Sequence, residues 1–495
     1  MSRYVLALDE GSTSARAVLV DETGTIVAEA RNPVVPHYPR PGWVELDPEA
    51  LWEAQRASMA KVLTDFGVTT DDLVAVGVTT HRETCLIWDR RTGKPVHDAL
   101  MWMSKQTDPI VERWRAAGLD DEVRRRTGAR NDSFFSAAKL TWILKNVPGV
   151  RARAERGELA AGTVDTWLVW KLTGGRSHVT DHSEASRTAL FSLRGLTWDE
   201  ELCRACEVPL ELMPPALPSD SRFGEMRPAD VGLPGTASVP VAAVMADQQA
   251  GMFGQVCLEA GSTKNTFGTA GVLIANTGAE PIDVPGLTAS VGWTIAGRTV
   301  YEVEGVVFHS GQTLQWLRER LGVLKPGERI EDVARRVPDS SGVYLVPAFA
   351  GLCAPYWRRN ASAGLVGLTL ETGAEHVVRA AVEAMAYQNR DNVDALVASG
   401  TLVPELKVDG GAASSDLLCQ FQADILGVPV VRPVQLERTA LGVAQLAGVT
   451  TGVWKLEDLP GQWHVDRVFE PEMSEERREE LYVGWQAAVR SVVGT

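Results

Sequence analysis

Two short runs of small residues combine hydroxyls and backbone amides in a spacing that suits an anion. Gly11-Ser12-Thr13-Ser14 offers N–H groups that can approach a phosphate closely, because glycine has no Cβ, and three hydroxyls able to donate to its oxygens. Gly268-Thr269-Ala270-Gly271 offers the same in the other half of the chain. Either run alone reads as an ordinary hairpin turn, but the pair in matching contexts reads as two phosphate-holding hairpins. No G-x-x-x-x-G-K-[ST] and no G-x-G-x-x-G opens a helix, which argues against a Walker-type NTPase, a protein kinase and a dinucleotide fold. Phosphoryl transfer also needs charge neutralisation by a metal and a base for the acceptor's proton. Asp9 and Asp247, each ending an apolar run in a different half, can supply these, or can simply cap the turn or helix that follows. Arg82-Glu83 lies between the apolar runs Val74–Val78 and Cys85–Trp88. Neighbours on a strand point to opposite faces, so the pair reaches one ligand only from an irregular connection. There it could donate to and accept from vicinal hydroxyls, which suits a polyol; the alternative is a surface turn with two solvated charges.

The elements that must position these groups occur twice. Val5–Leu8 and Ala17–Val20 read as strands flanking the first hairpin, and Val272–Ala275 follows the second. Val239–Ala246 runs into Asp247, and Leu406–Val408 into Asp409-Gly410-Gly411-Ala412, each an apolar strand ending in an Asp where a helix is expected. Such strand ends beside helix N-termini are where open α/β sheets place ligands. The repetition points to two related α/β domains facing a cleft, 1–252 and 253–495, with the boundary near Gly251–Gly261. Asp47-Pro48 predicts the start of a helix that stops at Gly67, and Thr372-x-x-Glu375 predicts a capping box before Val377–Leu396. Dense prolines between Ala205 and Pro240 predict an irregular connection.

The 495 residues are 45% hydrophobic and 23% charged, with 45 glycines and 26 prolines, the profile of a folded chain of more than one domain. A net charge of −15 without a Lys/Arg block argues against nucleic acid and membrane-surface partners. The opening Met1–Asp9 meets a carboxylate before any stretch of signal length, and no apolar run approaches ~18 residues. A cytoplasmic protein is expected. Six dispersed cysteines make no disulfide framework; Cys203-x-x-Cys206 lacks a second ligand pair, and His178 and His182 lack the glutamate of H-E-x-x-H. No metal site built from His or Cys is expected.

The residues taken together resemble the FGGY family of carbohydrate kinases, within the actin-like ATPase superfamily, from Tyr4 to about Trp485. The resemblance rests on Asp9-Glu10-Gly11-Ser12-Thr13-Ser14-Ala15-Arg16, Arg82-Glu83-Thr84, Gly162–Leu168, Ala185-Ser186-Arg187-Thr188, Asp247-Gln248-Gln249 and Val408–Ala412. The stretches Phe134–Ile143 and Gly364–Glu383 resemble the two family signatures. The resemblance implies two actin-like (ribonuclease H-like) α/β domains flanking a cleft for ATP and Mg²⁺. The implied reaction is ATP-dependent phosphorylation of a terminal hydroxyl of a small polyol, glycerol first. By resemblance, Asp247 is the general base, a feeble one toward an alcohol that accepts its proton late. Arg82, Glu83, Trp102 and Gln248 line the polyol site. Ser12, Thr13, Ser14 and Thr269 hold ATP phosphates, Arg16 supports the first hairpin, and Gly311, Gln315, Gly411 and Ser415 face the nucleotide. Asp9 acts through the metal's water shell, with Asp247 a second metal-side candidate. A homo-oligomer, dimer or tetramer, is also implied.

Departures from the family pattern cluster around the acceptor. Thr80-His81 precedes the Arg-Glu pair in place of Asn-Gln, Phe134 replaces a substrate-contacting Tyr, and Val272 replaces an aromatic wall residue. Ala270 replaces a Gly, Ser415 an Asn, and Met103, Lys105 and Gln106 follow Trp102. A looser pocket follows, which keeps open a tetritol, tetrulose or pentulose as acceptor, with His81 reading an extra hydroxyl or bonding backbone. The loop Val231–Ser238 lacks the residues for sugar-bisphosphate or histidine-phosphorylation control, so neither is expected. A different class, an actin-like nucleotide switch with no small-molecule acceptor, would not need Arg82, Glu83 and Asp247 together.

Overall fold

The computed structural model describes residues 3–494. Met1 and Ser2, at the head of the stretch read above for a signal segment, lie outside the described residues, as does Thr495. The strands of the two large sheets are β1 (Tyr4–Glu10), β2 (Ser14–Val20), β3 (Ile26–Pro33), β4 (Leu73–Thr80), β5 (Gly224–Met226) and β6 (Val239–Ala246) in the first. The second holds β7 (Thr263–Phe267), β8 (Gly271–Gly278), β9 (Thr288–Ile295), β10 (Arg298–Val307), β11 (Leu406–Asp409), β12 (Val430–Pro433) and β13 (Val465–Phe469). The first sheet is ordered β5-β6-β4-β1-β2-β3 and the second β9-β10-β8-β7-β11-β12-β13. In both, an antiparallel hairpin (β1–β2, β7–β8) leads into parallel pairing on its other side (β1–β4, β7–β11). The common pattern β3-β2-β1-β4-β6 and β10-β8-β7-β11-β12 is the duplication that the two hairpin motifs announced.

Long helices form where the chain carries both a start and a stop. In α1 (Pro48–Phe66) the Asp47 carboxylate accepts from the amides of Glu49 and Ala50, and Gly67 ends the helix at φ 79°. The apolar side of α1 packs under β1 and β2 through Leu51, Trp52, Met59 and Leu63. The helix α2 (Asp247–Gly254) begins at the residue after β6 ends. In α3 (Ala374–Ala398) the start differs from the expected capping box: His376 Nδ1 accepts from Gly373 N at 3.0 Å, while the Thr372 hydroxyl turns back to the amide of Thr369. After Asp409 the chain first makes a 3₁₀ turn, Gly411–Ser414, and α4 (Asp416–Leu426) starts only at Asp416. That corrects the expectation of a helix opening directly at Asp409.

One more helix, α5 (Arg438–Thr450), joins the halves. Its Ala440, Leu441, Val443, Ala444 and Ala447 share an apolar cluster with Val5 and Ala7 of the first sheet and Ile274 of the second. It lies against α2 so closely that a Cβ on Gly442 would sit 2.0 Å from Ala250 O, and one on Gly254 2.3 Å from Arg438 O. Only glycine permits that approach. Among the described residues no helix is long and apolar enough to cross a membrane.

Candidate functional site

The first hairpin turns at Gly11–Thr13, closed by Gly11 N donating to Ser14 O at 2.9 Å. Asp9 and Glu10 belong to β1 rather than to the turn, so their side chains take opposite faces of the sheet. Asp9 Oδ2 accepts from Arg16 Nη2 at 2.7 Å, and Arg16 Nη1 donates to Glu437 Oε2 at 2.6 Å. Arg16 is buried, and it ties the base of the hairpin to the residue preceding α5. Burial pushes the Asp9 carboxyl up, and the Arg16 guanidinium opposes that shift. Ser12 Oγ accepts from Trp102 Nε1 at 2.9 Å.

The second hairpin turns at Gly268–Ala270, and the chain after β10 returns to brace it. Ser310 N donates to Thr269 O at 3.1 Å, and Gly311 N to Gly268 O at 2.9 Å. A Cβ on Gly311 would lie 2.7 Å from Gly268 O, so the brace requires glycine. Gln315, one turn on, is exposed and donates to Glu319 at 2.9 Å. Gly411 opens the 3₁₀ turn, and Ser415 caps α4 by accepting from Leu418 N at 3.2 Å. Beside Ser415 a cavity of about 240 Å³ is lined by Leu314, Arg318, Met385, Ala412 and Leu418.

Arg82 and Glu83 sit in an irregular connection. β4 belongs to the first large sheet and Cys85–Asp89 to a separate four-stranded one; between them Glu83 takes φ 62°. Both charged side chains are buried, at 5% and 2% exposure, which sets aside the solvated surface turn. Arg82 Nε lies 3.2 Å from Asp247 Oδ1, which also accepts from Gln248 N at 2.7 Å. Gln248 Oε1 accepts from Lys264 Nζ at 2.8 Å, and Lys264 also donates to Thr266 Oγ1 at 2.6 Å. Glu83 O accepts from Ser136 Oγ at 2.9 Å. The buried Lys139 head donates to the carbonyls of Ser133 and Phe134 at 2.7 and 2.5 Å, fixing the Phe134 backbone. Burial lowers its pKa to about 8.

Trp102, Phe134 and Phe308 make an aromatic wall, with ring centroids 5.8 Å (Trp102–Phe134), 6.2 Å (Phe134–Phe308) and 6.4 Å (Trp102–Phe308) apart. Val272 is buried with Val306 in the apolar cluster on which Phe308 also packs, so Phe308 supplies aromatic bulk between Val272 and Phe134. His81 Nδ1 is 3.1 Å from Glu10 O. Its Nε2 is buried without a partner, and burial pushes its pKa down.

Sequence reasoning assigned no role to Lys264, Arg187, Glu304 or Phe308. Arg187 and Lys264 stood inside or beside the quoted motifs, whereas Glu304 and Phe308 had no local signal. Among the described residues, His37, Glu45 and Asp98, which sequence reasoning did not bring together, offer ligand atoms within 4.8 Å of one another. Their distance along the chain hid the grouping. Cys203 and Cys206 are buried free thiols.

Comparison with known proteins follows the same lines. Residues 4–254 match the model for the FGGY family of carbohydrate kinases, N-terminal domain, and residues 263–451 match its C-terminal domain. A glycerol kinase of Carboxydothermus hydrogenoformans is 48% identical over 490 residues, covering 98% of this chain and 97% of that protein. Glycerol kinase 2 of Thermotoga maritima is 45% identical over 495 residues, covering 99% of each. The crystal structure of Plasmodium falciparum glycerol kinase with ADP superposes with a TM-score of 0.91 at 28% identity, covering 100% of this chain and 99% of that one. With duplicated sheets of the actin-like ATPase type and both family domains matched in order, this chain belongs to the FGGY family of carbohydrate kinases.

Proposed function

We propose that the chain is an ATP-dependent kinase that phosphorylates a terminal hydroxyl of glycerol, giving glycerol 3-phosphate. The observation that carries this reading is the buried Arg82–Glu83 pair set beside Asp247, a donor, an acceptor and a candidate base within reach of one small polyol. The glycerol kinases that this chain resembles over nearly its whole length support the same acceptor. In this reading Arg82, Glu83 and Gln248 hold the hydroxyls, and Trp102, Phe134 and Val272 wall the carbon chain, with His81 beside them. Ser12, Thr13, Ser14 and Thr269 donate to the ATP phosphates, and Arg16 holds the first hairpin in place. Gly311, Gln315, Gly411 and Ser415 face the nucleoside, whose base takes the cavity beside Ser415 and Ala412.

Asp247 Oδ1 is engaged by Gln248 N and Arg82, which leaves Oδ2, with only a 3.4 Å contact from the Gln248 amide, to accept the hydroxyl proton. Proton transfer falls late, as the loose transition state develops. Asp9 bonds Arg16 through Oδ2 alone, so its second oxygen is available. Two partly free carboxylates are hard oxygen donors of the kind that suits a hydrated Mg²⁺, and Asp9, with Asp247, would hold it. When bound, that ion neutralises charge on the β- and γ-phosphates. A four- or five-carbon polyol or ketose is the second reading, favoured by the absent hydroxyl at Phe134 and the small Val272. The direct test is ³¹P NMR of a Mg·ATP and glycerol incubation: glycerol 3-phosphate should form with the wild type, and with Asp247→Asn its initial rate of formation should fall by about 10²-fold or more.

A further inference from the structure

A chain of buried charges joins the Arg82–Glu83 pair to the second half of the molecule. Arg187, just beyond the short helix His182–Ser186, donates from Nε to Glu83 Oε1 and from Nη2 to Glu304 Oε1, both at 2.7 Å. The other oxygen of Glu304 accepts from Arg82 Nη1. Arg82 in turn reaches Asp247 through Nε at 3.2 Å. The four side chains Arg82, Glu83, Arg187 and Glu304 are between 0% and 5% exposed. Three of them come from the half that carries the first hairpin, and Glu304 alone comes from the other, on β10. One carboxylate thus fixes both guanidiniums, each through its own oxygen, and they hold Glu304 below the usual glutamate range despite its burial. Glu302, two residues earlier on the same strand, adds a further link. Gln249 Nε2 lies 3.3 Å from Glu302 Oε1, which also accepts from Ser290, while Gln249 Oε1 faces Arg82.

β10 has a second attachment. Beyond Glu304 the strand runs to Val307, and the next residues clamp the second phosphate hairpin: Ser310 N and Gln312 N both donate to Thr269 O, at 3.1 and 3.2 Å, and Gly311 N to Gly268 O at 2.9 Å. Glu304 pairs across the sheet with Ile274 on β8, the strand that leaves that same hairpin. The carboxylate that orients Arg82 and Arg187 therefore stands three residues, about 10 Å, before the end of the strand whose direct continuation carries the amides that hold Gly268–Thr269.

We propose that Glu304 is a positioning residue that couples the two ligand sites across the domain boundary. It fixes the hydrogen-bonding pair for the acceptor from the domain that grips the nucleotide, so that filling one site strengthens binding at the other. The inference rests on the reading of Arg82 and Glu83 as acceptor ligands given above. No contact of Glu304 with either ligand is required; it acts through Arg82, Arg187 and the strand it stands on.

The test is calorimetric titration of the full-length protein with Mg²⁺ and a non-hydrolysable ATP analogue, with and without saturating glycerol. In the wild type, glycerol should tighten nucleotide binding at least fivefold. In Glu304→Gln that factor should fall to within twofold of one, with nucleotide affinity in the absence of glycerol unchanged and the KM for glycerol raised about tenfold. Glu304→Asp keeps the charge but shortens its reach by one methylene, and should give an intermediate coupling factor; it decides the matter if the Gln variant fails to fold. Loss of both affinities together with a fall in Tm for both variants marks a merely structural role and overturns the coupling. So does a full coupling factor in a folded variant, or its absence from the wild type when glycerol binds. If glycerol does not bind the wild type at all, the acceptor reading itself falls, and the coupling with it.

Discussion

Arg82 and Asp247 stand 3.2 Å apart, Nε to Oδ1, although one follows the central strand β4 and the other opens the helix after β6. The contact spends one carboxylate oxygen on orientation and leaves the other for proton transfer. Asp247→Asn keeps the shape but removes the basic oxygen, so kcat should fall by about 10²–10⁴. Affinity for the nucleotide should stay within about threefold, since none of the proposed phosphate donors bonds Asp247. Steady-state kinetics together with direct nucleotide titration checks the split.

Trp102 links the aromatic wall to the first hairpin through its bond to Ser12 Oγ. Trp102→Phe keeps most of the ring and loses the donor, at a net cost of about 0.5–1.5 kcal/mol. The expected result is a roughly two- to tenfold rise in KM for both ATP and glycerol, measured in the same assay. A change confined to glycerol would show that Trp102 serves as wall alone.

Phe134 is held between Trp102 and Phe308, with its backbone fixed by Lys139. Phe134→Tyr adds a hydroxyl at the ring edge without moving the chain. Glycerol kcat/KM should rise by roughly two- to tenfold relative to that for a pentulose, the worth of one hydrogen bond. Competition kinetics with mixed acceptors reads that ratio directly.

Glu10 predicts a pH dependence of stability. Its side chain is fully buried, both oxygens lack partners, and burial pushes its pKa well above the ordinary glutamate range. Below the unfolded pKa both states are protonated and nothing is lost. As pH rises beyond it, the unfolded chain releases a proton that the folded one keeps, and stability falls by about 1.4 kcal/mol per pH unit until the folded carboxyl titrates. Glu10→Gln removes that penalty, so its Tm should match the wild type near pH 4.5 and exceed it increasingly toward pH 8. Thermal melts across that range test the sign; an equal Tm difference at every pH contradicts it.

What the sequence made legible was local. Asp47, Pro48 and Gly67 marked α1 to the residue because caps are written in neighbouring positions. The two small-residue turns exposed the duplication because each hairpin is a continuous stretch of chain. The Thr372 capping box went astray because the helix caps one residue later, at Gly373, whose amide donates to His376 Nδ1 while the Thr372 hydroxyl accepts from Thr369 N, a choice that composition does not reveal. The link through Glu304 was invisible because its partner Arg82 is 222 positions away and the pairing is made only when the halves close on each other. The His37, Glu45 and Asp98 cluster escaped notice because Asp98 stands far along the chain from the other two and meets them only within the folded first half.

The central claim is acceptor choice. ADP release with Mg·ATP should be measured against glycerol, dihydroxyacetone, erythritol, threitol, erythrulose, xylulose and ribulose, with a blank lacking acceptor. The account predicts the highest kcat/KM for glycerol and a silent blank. A four- or five-carbon acceptor that outperforms glycerol, or ADP release that needs no acceptor, would contradict it.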